Sequence, residues 1–571
     1  MKKQLHLALR AGGFLTGMLA LSACASYSTT NSDVAYVEPG ATSEQQNIDR
    51  AFFSADRIKA DVTFLSQDLL RGRDTGSEGH RIAAHYVAAE FARLGVAPMG
   101  DNGGYFQEVP MRKAKVNVDT AAMTVRNGDE TLELELGDDF FMSGSVKNPS
   151  GEVSADVVFV GYGVHAPDLG HDDLAGLDLS GKIVVALSGA PSTFNTEIRA
   201  HHGSGATKLK AIEERGAVGI ITFNSASDEK RRPFASFKRF LGRESFDWIA
   251  PDSDASEAGS VKATAAISHD VARKLFAGSS SSLDDVLAQA DTGKVDGFDL
   301  TANVTMKRES ILTDPFDTPN VVAVLEGSDA NLKSEYVVLS AHLDHIGVSE
   351  NAKGDDKINN GALDNASGVS TLLEVARAYV AGGERPKRSI LFTIVTGEER
   401  GLLGAEYFAH YPTVEKPAIV ANVNLDMPLL LYDFTDVVAF GAERSSLGPI
   451  TEAALAKLDV ALSPDPIPQE GIFTRSDHYR FVQQGVPSVF LMTGWNKGLG
   501  GKDGGKIFQQ FLSKTYHSPA DDITQDIDFD AGAKFAYANW LIASDIANAP
   551  KRPTWNEGDF FGRTFAGSRK K

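Results

Sequence analysis

Two textures of apolar and polar positions divide the chain. In residues 48–70 (IDRAFFSADRIKADVTFLSQDLL) and 80–95 (HRIAAHYVAAEFARLG) apolar side chains recur at a spacing near 3.6, which predicts two amphipathic helices. Gly95 and Pro98 end the second, and the link between them, RGRDTGSEGH, is polar and glycine-rich. From about 110 to 308 short β-like runs take over: ADVVFVGYGV (155–164), GKIVVALSG (181–189) and AVGIITF (217–223), with one helical stretch at 207–216. A separate β-rich domain is expected there. From 317 onward, apolar runs at 321–327, 336–342, 389–395, 418–426 and 487–493 read as buried strands, and 366–383 and 401–411 read as helices between them. This alternation predicts an α/β fold, a mixed, mostly parallel sheet with helices on both faces. The polar stretch from Lys551, with scattered aromatics, is expected to be peripheral, and no internal repeat is visible.

Length and charge narrow the classes. A chain of 571 residues exceeds one ordinary core, so two or more domains are expected. A net charge of −20 argues against a nucleic-acid partner, which wants a basic face, and otherwise favours solubility. The N-terminus pairs a basic start, MKK, with a short apolar run, FLTGMLALSA (14–23), too short to span a bilayer comfortably. Leu21-Ser22-Ala23-Cys24 follows and resembles a bacterial lipobox, which implies cleavage before Cys24 and acylation of its thiol. Ala23-Cys24-Ala25 also fits an ordinary secretory cut. Ala25 after the cysteine resembles the pattern sorted to an outer membrane. Cys24 is the only cysteine, so no disulfide can form within the chain, and residues 25–47 read as a flexible tether.

Candidate chemistry gathers at the predicted strand ends, where ligands bind in open α/β sheets. One strand ends at His342, with Asp344 two residues on. Asp364 stands in the glycine-rich NNGALDNASG, just before a helix. SILFTIVTG ends at Glu398 and Glu399, ANVNL ends at Asp426, and His517 sits in the polar loop SKTYHSPADD. Imidazole and carboxylate suit zinc, and five such ligands exceed what one catalytic zinc needs. They fit two Zn²⁺ sharing a bridging carboxylate: Asp364, Glu399 and Asp426 with one bridging hydroxide balance the charge of two ions. Glu398 is then left over as a general base. Each residue has an ordinary alternative. An H-x-D pair is commonly structural, adjacent glutamates suit a helix start, Asp364 suits a helix cap, and Asp426 and His517 suit turns.

In SAHLDHIG (340–347), NNGALDNASGVSTLLEVAR (359–377), TGEERGLLGAEYF (396–408), NLDM (424–427) and YHSPAD (516–521) the chain resembles the co-catalytic zinc exopeptidases, peptidase family twenty-eight of the metallo class. This family includes bacterial leucine-type aminopeptidases and glutamate carboxypeptidase. LSQDLLRGRDTGSEG (65–79) and DNGGYFQEV (101–109) resemble its N-terminal segment, and FVGYGV, LSGKIVVAL and KAIEERGAVGIITFN resemble its inserted protease-associated domain. The resemblance implies that His342 and Asp426 bind one zinc, that Glu399 and His517 bind the other, and that Asp364 bridges. It makes Asp344 the residue that fixes the His342 ring, Glu398 the general base and then acid, and Tyr516 a hydrogen-bond donor to the oxyanion. It also implies a cis peptide bond after Asp364.

The expected organisation is a signal peptide (1–23), a tether (24–47), a discontinuous zinc peptidase domain (48–109 and 309–550), an inserted domain (110–308) and a tail (551–571). The expected function is an exported, lipid-anchored di-zinc exopeptidase acting on peptides, most simply an aminopeptidase on the periplasmic face of an outer membrane. A carboxypeptidase or other amide hydrolase on the same metals is the first alternative. A non-catalytic binding protein and a single-zinc acyl-transfer enzyme like the glutaminyl cyclases are the others. Membrane contact is expected only through the lipid on Cys24, and oligomeric state is left open. Ser476-Asp477-His478 holds triad residue types, but neighbours in sequence cannot form that relay, so a supporting place at the site rim is expected. HHGSGATK (201–208) lacks P-loop spacing, and GHDDLAGLD (170–178) does not match an EF-hand, so both read as turns.

Overall fold

The computed structural model describes residues 50–251, 259–352, 354–383 and 385–568. The expected leader and tether, with Cys24, lie outside the described residues. The main sheet contains β1 (Phe106–Val116), β2 (Phe316–Leu325), β3 (Tyr336–His342), β4 (Ser389–Val395), β5 (Ile419–Leu425), β6 (Asp436–Phe440) and β7 (Ser488–Thr493). Their spatial order is β1-β2-β4-β3-β5-β7-β6. The central four, β4-β3-β5-β7, are parallel, and β1, β2 and β6 pair antiparallel at the flanks. The sheet is therefore mixed with a parallel centre. Every residue of β4 and β5 is buried, which is why these strands read as unbroken apolar runs.

Alternate residues of the strands feed two cores. Val321, Ala323, Val337, Leu339, Ile390 and Phe392 face helices Ala55–Leu65, Glu78–Leu94, Ser367–Gly382 and Phe529–Asn548. Val322, Val324, Val338 and Leu391 face helices Leu403–His410 and His478–Gln483. The first two helices are capped by side chains from the polar segments before them: Ser54 accepts from the Arg57 N–H and Ser77 from the His80 N–H. Gly95 ends the second in a left-handed conformation, as its position suggests. No helix among the described residues is long and apolar enough to cross a membrane.

The second sheet lies between β1 and β2 in sequence. Its long strand Phe298–Leu312 pairs with Ser150–Phe159 and with Ala122–Asn127, and its last three residues pair with Ala114–Val116 of β1. The division expected at residue 110 therefore falls inside a strand that is continuous from one sheet to the other. The region is also less purely β than its texture suggested. Ile183–Leu187, Gly219–Phe223 and Ala263–Ile267 form a parallel set, with helix Gly205–Glu213 between the first two. Phe159, Phe223, Phe276 and Phe298 stack edge to face or tilted in its separate core.

The insert docks back through helix Thr196–Gly203. His201 Nδ1 lies 2.6 Å from Tyr479 Oη, and Glu197 pairs with Arg444. The Arg444 guanidinium sits over Phe473 and Phe561 at 5.1 and 4.9 Å. The C-terminal stretch is not peripheral: Phe561 is fully buried against Phe473 and Tyr479, and Phe560 and Phe565 reach His201. A sequence window shows only polar residues with scattered aromatics. In the short helix Phe560–Phe565, Phe561 and Phe565 are four apart and share one face.

His202 is buried among Phe194, His201 and Phe560, and its Nε2 has no hydrogen-bond partner. Burial, then the neighbouring His171 and His165, lower its pKa from 6.5 to about 4. A neutral buried imidazole stabilises the fold fully above the unfolded value. That contribution is lost as pH falls from about 6.5 toward 4, on the order of 3 kcal/mol for this shift. Thermal melts of the native protein should lose stability across that window, and His202→Phe should flatten the decline. An unchanged pH profile in the variant would assign the acid sensitivity elsewhere.

Candidate metal centre

The parallel strands β3, β4 and β5 all end at one edge of the sheet. His342 is the last residue of β3, Glu398 and Glu399 follow β4 by three and four residues, and Asp426 follows β5 directly. Asp364 lies in the turn Ala362–Ala366 that opens helix Ser367–Gly382, and its bond to Asn365 is cis. His517 comes from the loop before helix Phe529–Asn548. Around this edge Arg73, Leu402, Met427 and His517 have positive φ of 48°, 64°, 45° and 53°. They are four of the seven non-glycine residues in that region among the described residues, so backbone strain concentrates at the site.

Two groups of ligand atoms form, one from His342, Asp364 and Asp426, the other from His345, Asp364, Glu399 and His517. His342 Nε2 lies 3.0 Å from Asp426 Oδ1 and 3.3 Å from Asp364 Oδ1. His517 Nε2 lies 3.3 Å from Asp364 Oδ2 and 3.1 Å from Glu399 Oε2. Asp364 thus turns one oxygen to each group. All five residues named as metal ligands from sequence are brought together, and Glu398 belongs to neither group. Its carboxylate lines a cavity of about 60 Å³ with His342, Asp364, Asp426 and Tyr516, whose wall continues through Met427, Ile472, Arg475, Ser476, Phe490, Met492 and Phe508. Tyr516 stacks on the His517 ring at 3.8 Å between centroids.

The electrostatics call for a cation. Asp344, Asp364, Asp426 and Asp477 are buried, and Glu399 nearly so. Burial opposes charge on Asp364, but His345, His342 and His517 outweigh it and hold its carboxyl well below the usual range. Burial likewise opposes charge on Glu399, and chiefly His517 holds it down at about 2. Burial opposes a proton on His517 too, yet Glu399 and Asp364 raise it to about 10. Without an ion, the carboxylates around His342 and His517 favour a proton on each of these two rings. His517 Nε2 nevertheless has no hydrogen bond of acceptable geometry, although two carboxylate oxygens stand within 3.3 Å. Nitrogen and oxygen donors converging from several carboxylates and imidazoles fit shared cations, and this donor set suits zinc. Glu398 differs: burial, together with Asp426 and Glu399, pushes its carboxyl well above the usual range despite His342.

Asp344 sits otherwise than expected. Its backbone carbonyl, not its carboxylate, meets His342 Nδ1 at 3.0 Å. The carboxylate instead accepts from Thr75 Oγ1 and from the backbone N–H groups of Glu398 and Glu399, at 2.8, 3.1 and 3.4 Å. Only one residue separates His342 and Asp344, so the carbonyl reaches the ring first and the side chain is free to hold the glutamate turn. Ser476 supports the site, donating to Asp426 Oδ2 at 2.7 Å, as its place at the rim suggested. Sequence reasoning missed three residues. His345 Nδ1 lies 2.7 Å from Glu399 Oε1, Asp521 accepts the Leu363 and Asp364 N–H groups at 3.0 Å, and Arg73 is buried behind both loops. His345 and Asp521 stand inside SAHLDHIG and YHSPAD, where a second histidine and a second acid were visible. Nothing local distinguishes Arg73 from the nearby Arg71.

Comparison with known proteins places these features in context. The model of "Peptidase family M28" matches residues 320–542. A probable leucine aminopeptidase 2 of Aspergillus oryzae is 28% identical over 259 residues, 42% of this chain and 47% of that protein. Leupeptin-inactivating enzyme 1 of Streptomyces exfoliatus is 28% identical over 256 residues, 42% of this chain and 52% of that enzyme. The chain thus spans about half the length of these curated relatives. Among solved structures, an aminopeptidase from Aneurinibacillus sp. strain AM-1 aligns with 19% identity and a TM-score of 0.48, over 88% of this chain and 95% of that one.

Arg73 donates to the carbonyls of Leu343, Asn360 and Gly361 at 2.9, 2.6 and 3.0 Å, and also to Leu65. It ties the His342–His345 loop to the Asp364 loop. Arg73→Met leaves these buried acceptors unpaired and should cost at least about 3 kcal/mol in urea denaturation of the metal-free protein. A loss under 1 kcal/mol would show that the loops hold each other without it.

Proposed function

From the premise that residues 320–542 make this chain a member of peptidase family M28, we propose that it is a zinc aminopeptidase with two Zn²⁺ in one site. The observation that carries the reading is the shared carboxylate: Asp364 faces both ligand groups while Glu398 stands outside them. His342 and Asp426 would hold one ion, Glu399 and His517 the other, and Asp364 both. His345, hydrogen-bonded to Glu399 Oε1, leaves Oε2 for the ion. Bound zinc would supply polarisation of the scissile carbonyl and acidification of a water.

The remaining chemistry belongs to the chain. Glu398 has an elevated pKa and lies at the cavity wall, which suits a carboxylate that takes the attacking water's proton and passes it to the leaving amine. Asp344 keeps Glu398 in place through its backbone N–H. Tyr516 is half-buried and stays protonated, because burial and the carboxylates Asp364, Glu399 and Glu398 raise its pKa well above the usual value. It can therefore donate to the developing oxyanion. The cavity is small and lined by Met427, Ile472, Phe490, Met492 and Phe508, which favours an apolar N-terminal side chain and excludes a continuing chain. The reading includes the inserted region as a protease-associated domain, and export with a lipid on Cys24.

Glu398→Gln should lower kcat by at least about a thousandfold while zinc content by elemental analysis stays near that of the native protein. Equal loss of metal and activity would contradict the division of roles between Glu398 and Glu399. Dipeptides blocked at either end separate the two exopeptidase readings. Acetylation of the amine should abolish cleavage and amidation of the carboxylate should not, and the reverse pattern would make the protein a carboxypeptidase.

A further inference from the structure

Helix Thr196–Gly203 of the insert packs on the stretch of chain that walls the metal-site cavity. Ile472, Arg475 and Ser476 line that cavity, and Ser476 holds Asp426 Oδ2. Gly471, directly before Ile472, has a φ of 58°, and a Cβ placed on it would stand 2.9 Å from the Ala200 Cβ. Both its backbone conformation and the closeness of the insert call for glycine there. At the other end of the stretch, His201 Nδ1 lies 2.6 Å from Tyr479 Oη, three residues beyond Ser476. Between the two contacts Phe473 is fully buried, with the Arg444 guanidinium 5.1 Å from its ring and Glu197 paired to that guanidinium. The Phe473 ring lies 5.2 Å from that of His478, which lies 5.4 Å from Phe490, another cavity residue.

Glu197, Ala200 and His201 stand at i, i+3 and i+4, so one face of one helix makes all three contacts. Beside this face a cavity of about 610 Å³ opens between Glu197 and Pro468, which gives the chain entering the wall room to shift on that side. Attachment of the insert does not by itself require contacts at both ends of a cavity wall. The catalytic cavity is only about 60 Å³, and packed interiors pass displacements on to their neighbours. A small movement of Gly471 is therefore carried to Ile472, where it changes which side chain fits.

We propose that Glu197, Ala200 and His201 of the insert are positioning residues that fix the place of Ile472–Ser476 and so set the size of N-terminal side chain the site accepts. This deepens the peptidase reading and rests on it. The three residues act through Arg444 with Phe473, through Gly471 and through Tyr479, and none of them lines the catalytic cavity. The insert is in this reading a specificity element, and its docking helix is the part that confers the selectivity.

The probes are Leu-Ala-amide and Phe-Ala-amide, with native protein, Ala200→Gly, His201→Phe and His201→Asn. Ala200→Gly removes the contact at Gly471. His201→Phe removes the hydrogen bond to Tyr479 and keeps an aromatic ring against Phe560 and Phe565, whereas His201→Asn keeps a polar atom near the Nδ1 position. The ratio of kcat/KM for the leucyl over the phenylalanyl peptide should fall by about tenfold in Ala200→Gly and in His201→Phe, mainly through the KM of the larger substrate. It should stay native in His201→Asn, and zinc content should stay near native in all three. An insert that only stabilises the fold would lower both substrates alike. A ratio unchanged in Ala200→Gly and His201→Phe, or equal loss with both peptides, overturns the proposal. Calorimetric binding of leucine hydroxamate and phenylalanine hydroxamate to the zinc-loaded proteins separates this test from that of the peptidase reading, because a hydroxamate chelates metal without being cleaved. If neither peptide is cleaved but the hydroxamate preference shifts in the variants by the same factor, the enzymatic reading fails and the positioning role stands. Hydroxamate affinities that change in parallel remove the role.

Discussion

A surplus of buried negative charge governs this structure. Asp344, Asp364, Glu399, Asp426 and Asp477 crowd the carboxyl ends of three parallel strands, with Glu398 at the cavity wall. Such a cluster is costly unless protons, buried cations or metal ions compensate. The chain supplies Arg73 behind the loops and, in the absence of an ion, protonated imidazoles at His342 and His517. Asp477 shows the cost: with neither oxygen hydrogen-bonded, burial pushes its carboxyl up to about 8. Binding capacity for cations is therefore a condition of the site's stability as well as of its chemistry.

The fold serves that cluster by parallel pairing. Because β3, β4 and β5 run side by side in the same direction, residues far apart in sequence end on one edge. The turns that follow them are held by backbone-directed carboxylates. Asp344 holds the glutamate turn, and Asp521 holds the Asp364 turn. Each acid next to the ligands fixes the main chain of another, so the ligand positions are coupled and not independently adjustable.

The insert is joined to this scaffold by continuous strand pairing and by a second, aromatic contact. Phe298–Leu312 carries hydrogen bonding from one sheet into the other, while His201, Arg444 and Phe561 close the far side. Two attachments at separated points hold the insert against the scaffold. The texture of the sequence suggests two regions, because short β-like runs give way to alternating strands and helices. It misplaced the join, because an extended strand looks the same whether it ends in one sheet or passes into the next.

By itself the sequence determined the elements and the chemistry available at their ends. Unbroken apolar runs marked strands buried on both faces, and the residues at or within four positions of their ends are His342, Glu398, Glu399 and Asp426. Only the tertiary structure decided which atoms meet. It turned the Asp344 carboxylate toward the glutamate turn and not the His342 ring, brought His345 to Glu399, and buried a C-terminal phenylalanine against the insert's docking helix. The reason is physical: periodicity along a chain records which face a residue occupies, whereas the distance between two side chains depends on the packing of elements that the local pattern does not relate.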